Sequence, residues 1–225
     1  IVESALNPTA VSSAGATGIW QFMFNTGKMY GLNINSYIDE RRDVRLATDA
    51  ACRYFQDMYA IYGDWLLVIA SYNCGPGNVN RAIARAGGSK NFWEISRFLP
   101  AETRGYVPAF IGATYVMYYA NEYNITPIAP TFTYFNVDTV GVKNKISFRQ
   151  LSQTLNIPYD VIAFLNPIYK RNMIPGEGNR LYLPTEKISM YLANEESLYA
   201  ASGTELQPSS FAIADDVGYV QVKQH

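Results

Sequence analysis

Histidine is nearly missing: the only one among 225 residues is His225, the last. With no imidazole in the body of the chain, Ser-His and Cys-His dyads are excluded, and so are zinc sites built on histidine ligands. Cysteine is almost as scarce. Cys52 and Cys74 have neither zinc-site spacing nor a Cys-x-x-Cys arrangement, so they read as buried thiols or, in an oxidising compartment, as one disulfide. An excess of charge of either sign is lacking too: 18 Lys+Arg stand against 19 Asp+Glu, for a net charge of -1 and a pI of about 5.9. That balance argues against nucleic acid as a partner, because a phosphate backbone is held by a basic surplus. Gly27-Lys28 has no Gly-rich lead and is followed by Met29, so it makes no phosphate loop. The longest apolar stretches, around 65–72 and 107–120, fall short of the roughly 18–20 residues that span a bilayer. No metal or cofactor is implied. Carboxylates and tyrosines remain for acid–base work.

What is present is a chain 48% hydrophobic and 16% charged, enough for one sizeable core plus a small module. Leu46, Ala50, Tyr54, Met58 and Tyr62 recur at steps of four, with Ala51, Phe55 and Tyr59 beside them, which predicts an amphipathic helix over about 44–62 stopped by Gly63. DWLLVIASYN is apolar almost all round and predicts a central helix from about Asp64 to Tyr72, ending at the breaker CGPG. Asn78 is positioned to cap a short helix to Ala86, FWEISRFL forms another short helical stretch, and Pro108 suits the first turn of a helix to about Asn121. The strand signal before residue 125 is confined to a short irregular hairpin in NPTAVSSAGATG. After the Pro-punctuated ITPIAPTF, the alternation in TYFNVDTVGV, two short helical patterns and a closing RLYLP predict a β-α-α-β module. The fold class expected is therefore α+β. It divides as a mainly α domain over 1–124, a linker over 125–132, the β-α-α-β module over 133–186, and a helical extension and linker over 187–225. GYVQVKQH reads as a further strand.

Four motifs follow one another through the first domain: Glu3-Ser4, then Gly18-Ile19-Trp20-Gln21, then Ser71-Tyr72-Asn73-Cys74-Gly75, then Glu102-Thr103-Arg104-Gly105-Tyr106-Val107. Their order resembles the family 1 lytic transglycosylases, whose lysozyme-like (SLT) domain cleaves peptidoglycan. The runs GIWQFM, TGKMYGL, DERRD and GDW are similar to the D-type branch of that family. The resemblance implies that Glu3 is the single catalytic acid, at the floor of a glycan groove. It implies substrate-binding roles for Ser12, Trp20, Gln21, Tyr72, Asn73, Glu102 and Tyr106. Trp20 is read equally well as core packing or as a platform for a sugar face. DERRD is read as a set of packing ion pairs rather than a second acid.

The implied reaction needs a proton on the departing glycosidic oxygen and stabilisation of an oxocarbenium-like sugar. A carboxyl group holds that proton at neutral pH only when apolar surroundings raise its pKa, and Ile1, Val2, Leu6, Trp20 and Phe22 are the candidate walls. Tyr72 is the residue expected to hydrogen-bond to the carboxyl, with Asn73 or Ser12 holding the sugar's N-acetyl group. Glu3 would then serve as base toward the C6 hydroxyl of the same N-acetylmuramic acid, closing a 1,6-anhydro ring. A hydrolase of the same fold and a non-catalytic glycan-binding protein are the rival readings.

Three positions depart from the family pattern. Trp20 stands where many members have Met, Ser71 where Ala is usual, and Phe24-Asn25 where Pro-Ser is common. The second module resembles a divergent LysM domain through LSQTLNIPYDVIAFLNP and the closing LYLP, with KNKISFRQ in place of the usual Gly-Asp-Thr-Leu opening. Glycan binding and simple docking are both compatible with it. The partner implied is the peptidoglycan glycan strand, and the location is the bacterial cell envelope, in the periplasm or anchored to the outer membrane. Only Ile1 and Val2 precede Glu3, so IVESALNP is expected to be the end of a helix that begins upstream, and any leader or membrane anchor is expected to lie outside this sequence.

Overall fold

A computed structural model of the chain describes residues 1–133 and 136–200. The first unit is built from helices. α1 (Phe24–Met29) follows a loop region closed by isolated bridges between Val11 and Thr17 and between Thr17 and Phe22, in and beside the segment where a hairpin is expected. α2 (Val44–Tyr62) has the predicted bounds. Asp43 caps it by accepting the Arg45 and Leu46 amides at 2.9 Å, and Gly63 stops it with φ 68°. Its Ala47, Ala50, Ala51, Tyr54, Met58 and Tyr62 are buried on one face.

α3 (Trp65–Cys74) is capped by Asp64 and runs through the middle, with Leu67, Val68 and Ala70 fully buried. Ser71, buried beside them, is satisfied locally: its hydroxyl donates to the Val68 carbonyl at 2.7 Å, and Tyr54 donates to the Ser71 carbonyl at 2.8 Å. α4 (Pro76–Arg85) begins two residues before the expected cap at Asn78. Gly75 turns at φ 82° and Pro76 supplies a preset first helical residue, so Asn78 lies inside and bonds back to the Cys74 carbonyl.

α5 (Phe92–Ile95) and a 3-10 turn (Ser96–Phe98) lead to α6 (Ala101–Tyr118). Pro108 is interior to α6, not in its first turn. The helix starts directly after Pro100, and the proline removes only the amide that would have met the Arg104 carbonyl. Cys52 and Cys74 are free thiols. Cys52 is exposed, against the expectation of burial, because it sits on the outer face of α2.

In the second unit β1 (Val137–Val142) pairs antiparallel with β4 (Asn179–Pro184), Val137 opposite Pro184 and Val142 opposite Asn179. Between them lie β2 (Ile146–Ser147), α7 (Phe148–Leu155), α8 (Tyr159–Leu165) and β3 (Met173–Ile174), with a second small pairing of β2 and β3. Ser147 and Gln150 form a reciprocal capping box on α7. Buried Asn166 serves β4 in place of a neighbouring strand: its amide donates to the Tyr182 carbonyl at 2.8 Å, and its oxygen accepts the Tyr182 amide at 2.8 Å. α9 (Ile188–Ala200), expected as an extension, buries Tyr191 and Leu198 in the same core as Phe148, Leu151, Ile162 and Leu181. The linker and final strand read in 201–225 lie outside the described residues.

The two units meet through main chain. Ile38 of the first forms an antiparallel bridge with Tyr169 of the second, the Asp39 amide donates to the Ile168 carbonyl, and the Lys170 amide donates to the Tyr37 carbonyl, both at 2.9 Å. Ile38 is buried within the second unit's core cluster. The architecture is α+β: a mainly α domain followed by a small module with β-α-α-β order at its base.

Candidate active site

Glu3 lies in the turn over 2–6, where the Ala5 amide donates to the Ile1 carbonyl at 2.8 Å, the i→i−4 pattern of a helical turn. Ala5 and Leu6 both have left-handed backbone, at φ 49° and 65°, an uncommon conformation for residues bearing a Cβ. Ser4 fixes this turn against the neighbouring loop by donating to the Ile19 carbonyl at 3.0 Å. The loop is held from behind by Arg41. Its guanidinium pairs with Asp39 at 2.9 and 2.8 Å and donates to the carbonyls of Gly15 and Phe22, each at 3.0 Å. Gly18 tolerates no side chain there, since a Cβ would lie 1.8 Å from the Arg41 carbonyl oxygen. DERRD thus supplies an ion pair, as read, but the pair anchors a loop rather than a helix.

A cavity of about 280 Å³ opens over Glu3. Its apolar walls are Ile1, Val2, Leu6, Ile19, Trp20, Phe55, Ile69, Phe110 and Met117, and Tyr72 and Tyr106 belong to the same lining. Burial in these walls raises the Glu3 carboxyl above its ordinary value. The Tyr106 hydroxyl pulls it back by bonding to the ionised form, and the Glu102 carboxylate adds a smaller upward push. The tyrosine on Glu3 is Tyr106, which donates to Oε1 at 2.5 Å. Tyr72, expected in that role, donates instead to the Trp20 carbonyl at 2.6 Å. Its ring is enclosed edge-on by Trp20, Phe22 and Tyr54, which set its direction. Burial raises both phenols well above the usual tyrosine range, with Glu3 adding to each, so both remain neutral donors.

Of the residues singled out in the sequence, Glu3, Trp20, Tyr72 and Tyr106 come together at this cavity, and Ser12, Gln21, Asn73 and Glu102 do not line it. Ser12 accepts the Ala16 amide at 3.0 Å and shapes the loop. Gln21, at φ 48°, ties the loop to itself by donating to the Ala10 and Gly18 carbonyls. Asn73 donates to Glu102 at 3.2 Å and accepts from Thr103 at 2.7 Å, linking α3 to α6. Trp20 packs against the cluster of Phe22, Leu32 and Ala51 and lines the cavity, while its indole nitrogen donates to Thr48 at 2.8 Å. Phe22 is no wall; it is buried behind Tyr72. Phe110 and Met117 were missed, although Phe110 stands one helical turn beyond Tyr106, a spacing that places both on one face.

A carboxyl whose pKa is raised by apolar burial and whose orientation is set by a phenol, in a structure with no cluster of metal-ligating side chains among the described residues, is suited to donating a proton to an ether-type oxygen. Residues 1–95 match the family "Transglycosylase SLT domain". The first unit is similar to a transglycosylase SLT domain. Residues 136–200 match "Lytic transglycosylase MltD, LysM-like domain", so the second unit is LysM-like and includes α9. Among curated proteins, the chain is 32% identical over 220 residues to membrane-bound lytic murein transglycosylase D of Escherichia coli K12, covering 96% of this chain and 47% of that protein. It is 32% identical over 111 residues to soluble lytic murein transglycosylase of the same organism, covering 47% of this chain and 17% of that protein. A solved structure, the 70 kDa soluble lytic transglycosylase SLT70 of Escherichia coli, aligns with a TM-score of 0.40 at 31% identity, over 47% of this chain and 18% of that one. The chain therefore spans about half the length of the D-type relative.

Proposed function

We propose that the protein is a peptidoglycan lytic transglycosylase, cleaving the β-1,4 bond between N-acetylmuramic acid and N-acetylglucosamine with Glu3 as its one acid and base. The observation that carries this reading is the Glu3 carboxyl raised by apolar burial and held by Tyr106. In the first step Glu3 gives its proton to the departing O4 of N-acetylglucosamine as the C1–O4 bond breaks. In the second the Glu3 carboxylate takes the proton from the C6 hydroxyl of the muramic sugar while O6 bonds to C1. The product is a 1,6-anhydro ring, Glu3 ends protonated, and no water is consumed. One carboxyl serves both steps, so no second carboxylate at the spacing of a hydrolytic pair is required.

Tyr106 orients the acid, and Tyr72 fixes the loop carbonyl of Trp20 beneath the sugar. Trp20 faces the sugar from the cavity wall, and Ser12, Gln21, Asn73 and Glu102 act from behind it, bracing the loop and the α3–α6 contact. The chemistry belongs to the unit before the 125–132 linker, and the LysM-like unit, α9 included, binds the same glycan. The names of the relatives, murein transglycosylases, one of them membrane-bound, support a cell-envelope location. Among the described residues no helix is long and apolar enough to cross a membrane. The test is turnover of purified peptidoglycan by the full chain and by Glu3→Gln: the reading expects loss of release in the variant, and equal release by both would remove Glu3 from its role.

A further inference from the structure

A second cavity, of about 350 Å³, lies at the junction of the SLT and LysM-like units. Leu6 lines both this cleft and the cavity over Glu3, so the two lie on either side of one residue. Its walls come from both units: Leu6, Pro8 and Arg45 on one side, Phe164, Pro167 and Tyr182 on the other. The walls are held in fixed relation by the main-chain bridge of Ile38 to Tyr169 and by Arg171, whose guanidinium lies 4.7 Å from the Tyr37 ring centre. The Lys170 ammonium adds a bond to the Asn35 carbonyl at 3.2 Å. Phe164 is 64% exposed, an apolar ring left at the edge of a preformed cleft. A cleft of this size between units, apolar with a few polar groups, has the character of a ligand site.

From this we infer that the junction cleft is an additional glycan subsite, in which a sugar of the strand seated over Glu3 packs on Phe164. The walls combine aromatic and proline residues with the polar residues Asp43, Arg45, Asn166 and Tyr182, which suits a ligand with apolar ring faces and hydroxyl edges. Because Leu6 separates the two cavities, a strand lying over Glu3 needs only to continue past it to reach the cleft. The LysM-like unit then acts as a fixed extension of the groove, not as a tethered module that raises local concentration. This inference rests on the glycan-cleaving reading above, so its test separates the two.

Binding of peptide-free glycan oligomers, one short enough to fill only the Glu3 cavity and one longer, is measured by calorimetry on the full chain carrying Glu3→Gln. The longer oligomer should bind more tightly, and adding Phe164→Ala should reduce that preference by roughly three- to tenfold, the range of a lost aromatic packing partner. Phe164→Trp should retain the preference, and unchanged melting of both variants excludes a folding effect. An unchanged preference in Phe164→Ala, or an effect seen only with peptide-bearing strands, overturns the sugar subsite. Absence of glycan turnover by the unsubstituted chain sinks the transglycosylase reading instead, and leaves the binding comparison standing as its own result.

Discussion

Arg41→Met should destabilise the SLT domain far more than loss of an ordinary ion pair. Arg41 and Asp39 are both buried, at 7% and 2% exposure, and the guanidinium serves Asp39 twice and two loop carbonyls once each. Removing one partner of a buried pair leaves an uncompensated charge, which costs about 3–5 kcal/mol. The carbonyls of Gly15 and Phe22 each keep a second donor from Thr17, its hydroxyl and its amide, so the loss is set by the buried pair and is still a large part of a domain's usual stability of roughly 5–15 kcal/mol. Urea denaturation of the full chain, followed by tryptophan fluorescence, reads this as a fall in midpoint. The double change Asp39→Leu with Arg41→Met should recover the larger part, because it removes both charges together. A loss below about 1 kcal/mol in the single variant, the level of an exposed pair, would refute the argument.

The remaining predictions concern the cavity and the junction. The carboxyl of Glu3 is raised in the folded state, so its ionisation weakens folding progressively as pH rises from the ordinary value of 4.5 through the raised one. Glu3→Gln should therefore be more stable than the parent at neutral pH and equal to it well below pH 4.5, and a pH-independent difference in urea midpoint would contradict this. Tyr106→Phe removes the donor that favours the ionised carboxyl. It should move the alkaline limb of the pH–rate profile upward and lower kcat by roughly tenfold or more, given about 1.5–3 kcal/mol for a hydrogen bond to a charged group. Tyr72→Phe should leave that limb in place, since its bond goes to the Trp20 carbonyl. Ile38→Ala should cost about 2–5 kcal/mol, as buried isoleucine truncations do, and should allow limited proteolysis to separate two units that the parent chain keeps together.

The long helices were legible because their determinants are local: the steps of four in α2, the caps Asp43 and Asp64, and the stop at Gly63. Pro76 and Pro108 were misjudged because one proline can open a helix or sit within it, and the choice depended on Gly75 and on the run after Pro100. The four motifs named Glu3, Trp20, Tyr72 and Tyr106, which the fold brings together at one cavity, but they did not reveal the pairing of hydroxyls. Which tyrosine reaches Glu3 depends on how α3 and α6 pack, and that involves contacts 103 residues apart in the chain. The entry of Ile38 into the LysM-like core was likewise invisible, since nothing in NINSYIDE marks one apolar residue as belonging to a core formed more than 100 positions later.

The central claim is that bond cleavage over Glu3 is completed by the sugar's own hydroxyl. Purified peptidoglycan digested by the full chain in water enriched with heavy oxygen, with the released ends analysed by mass spectrometry, tests it directly. The account predicts 1,6-anhydro-N-acetylmuramic ends that carry no heavy oxygen. Reducing muramic ends bearing the label would show that water completes the reaction and would contradict it.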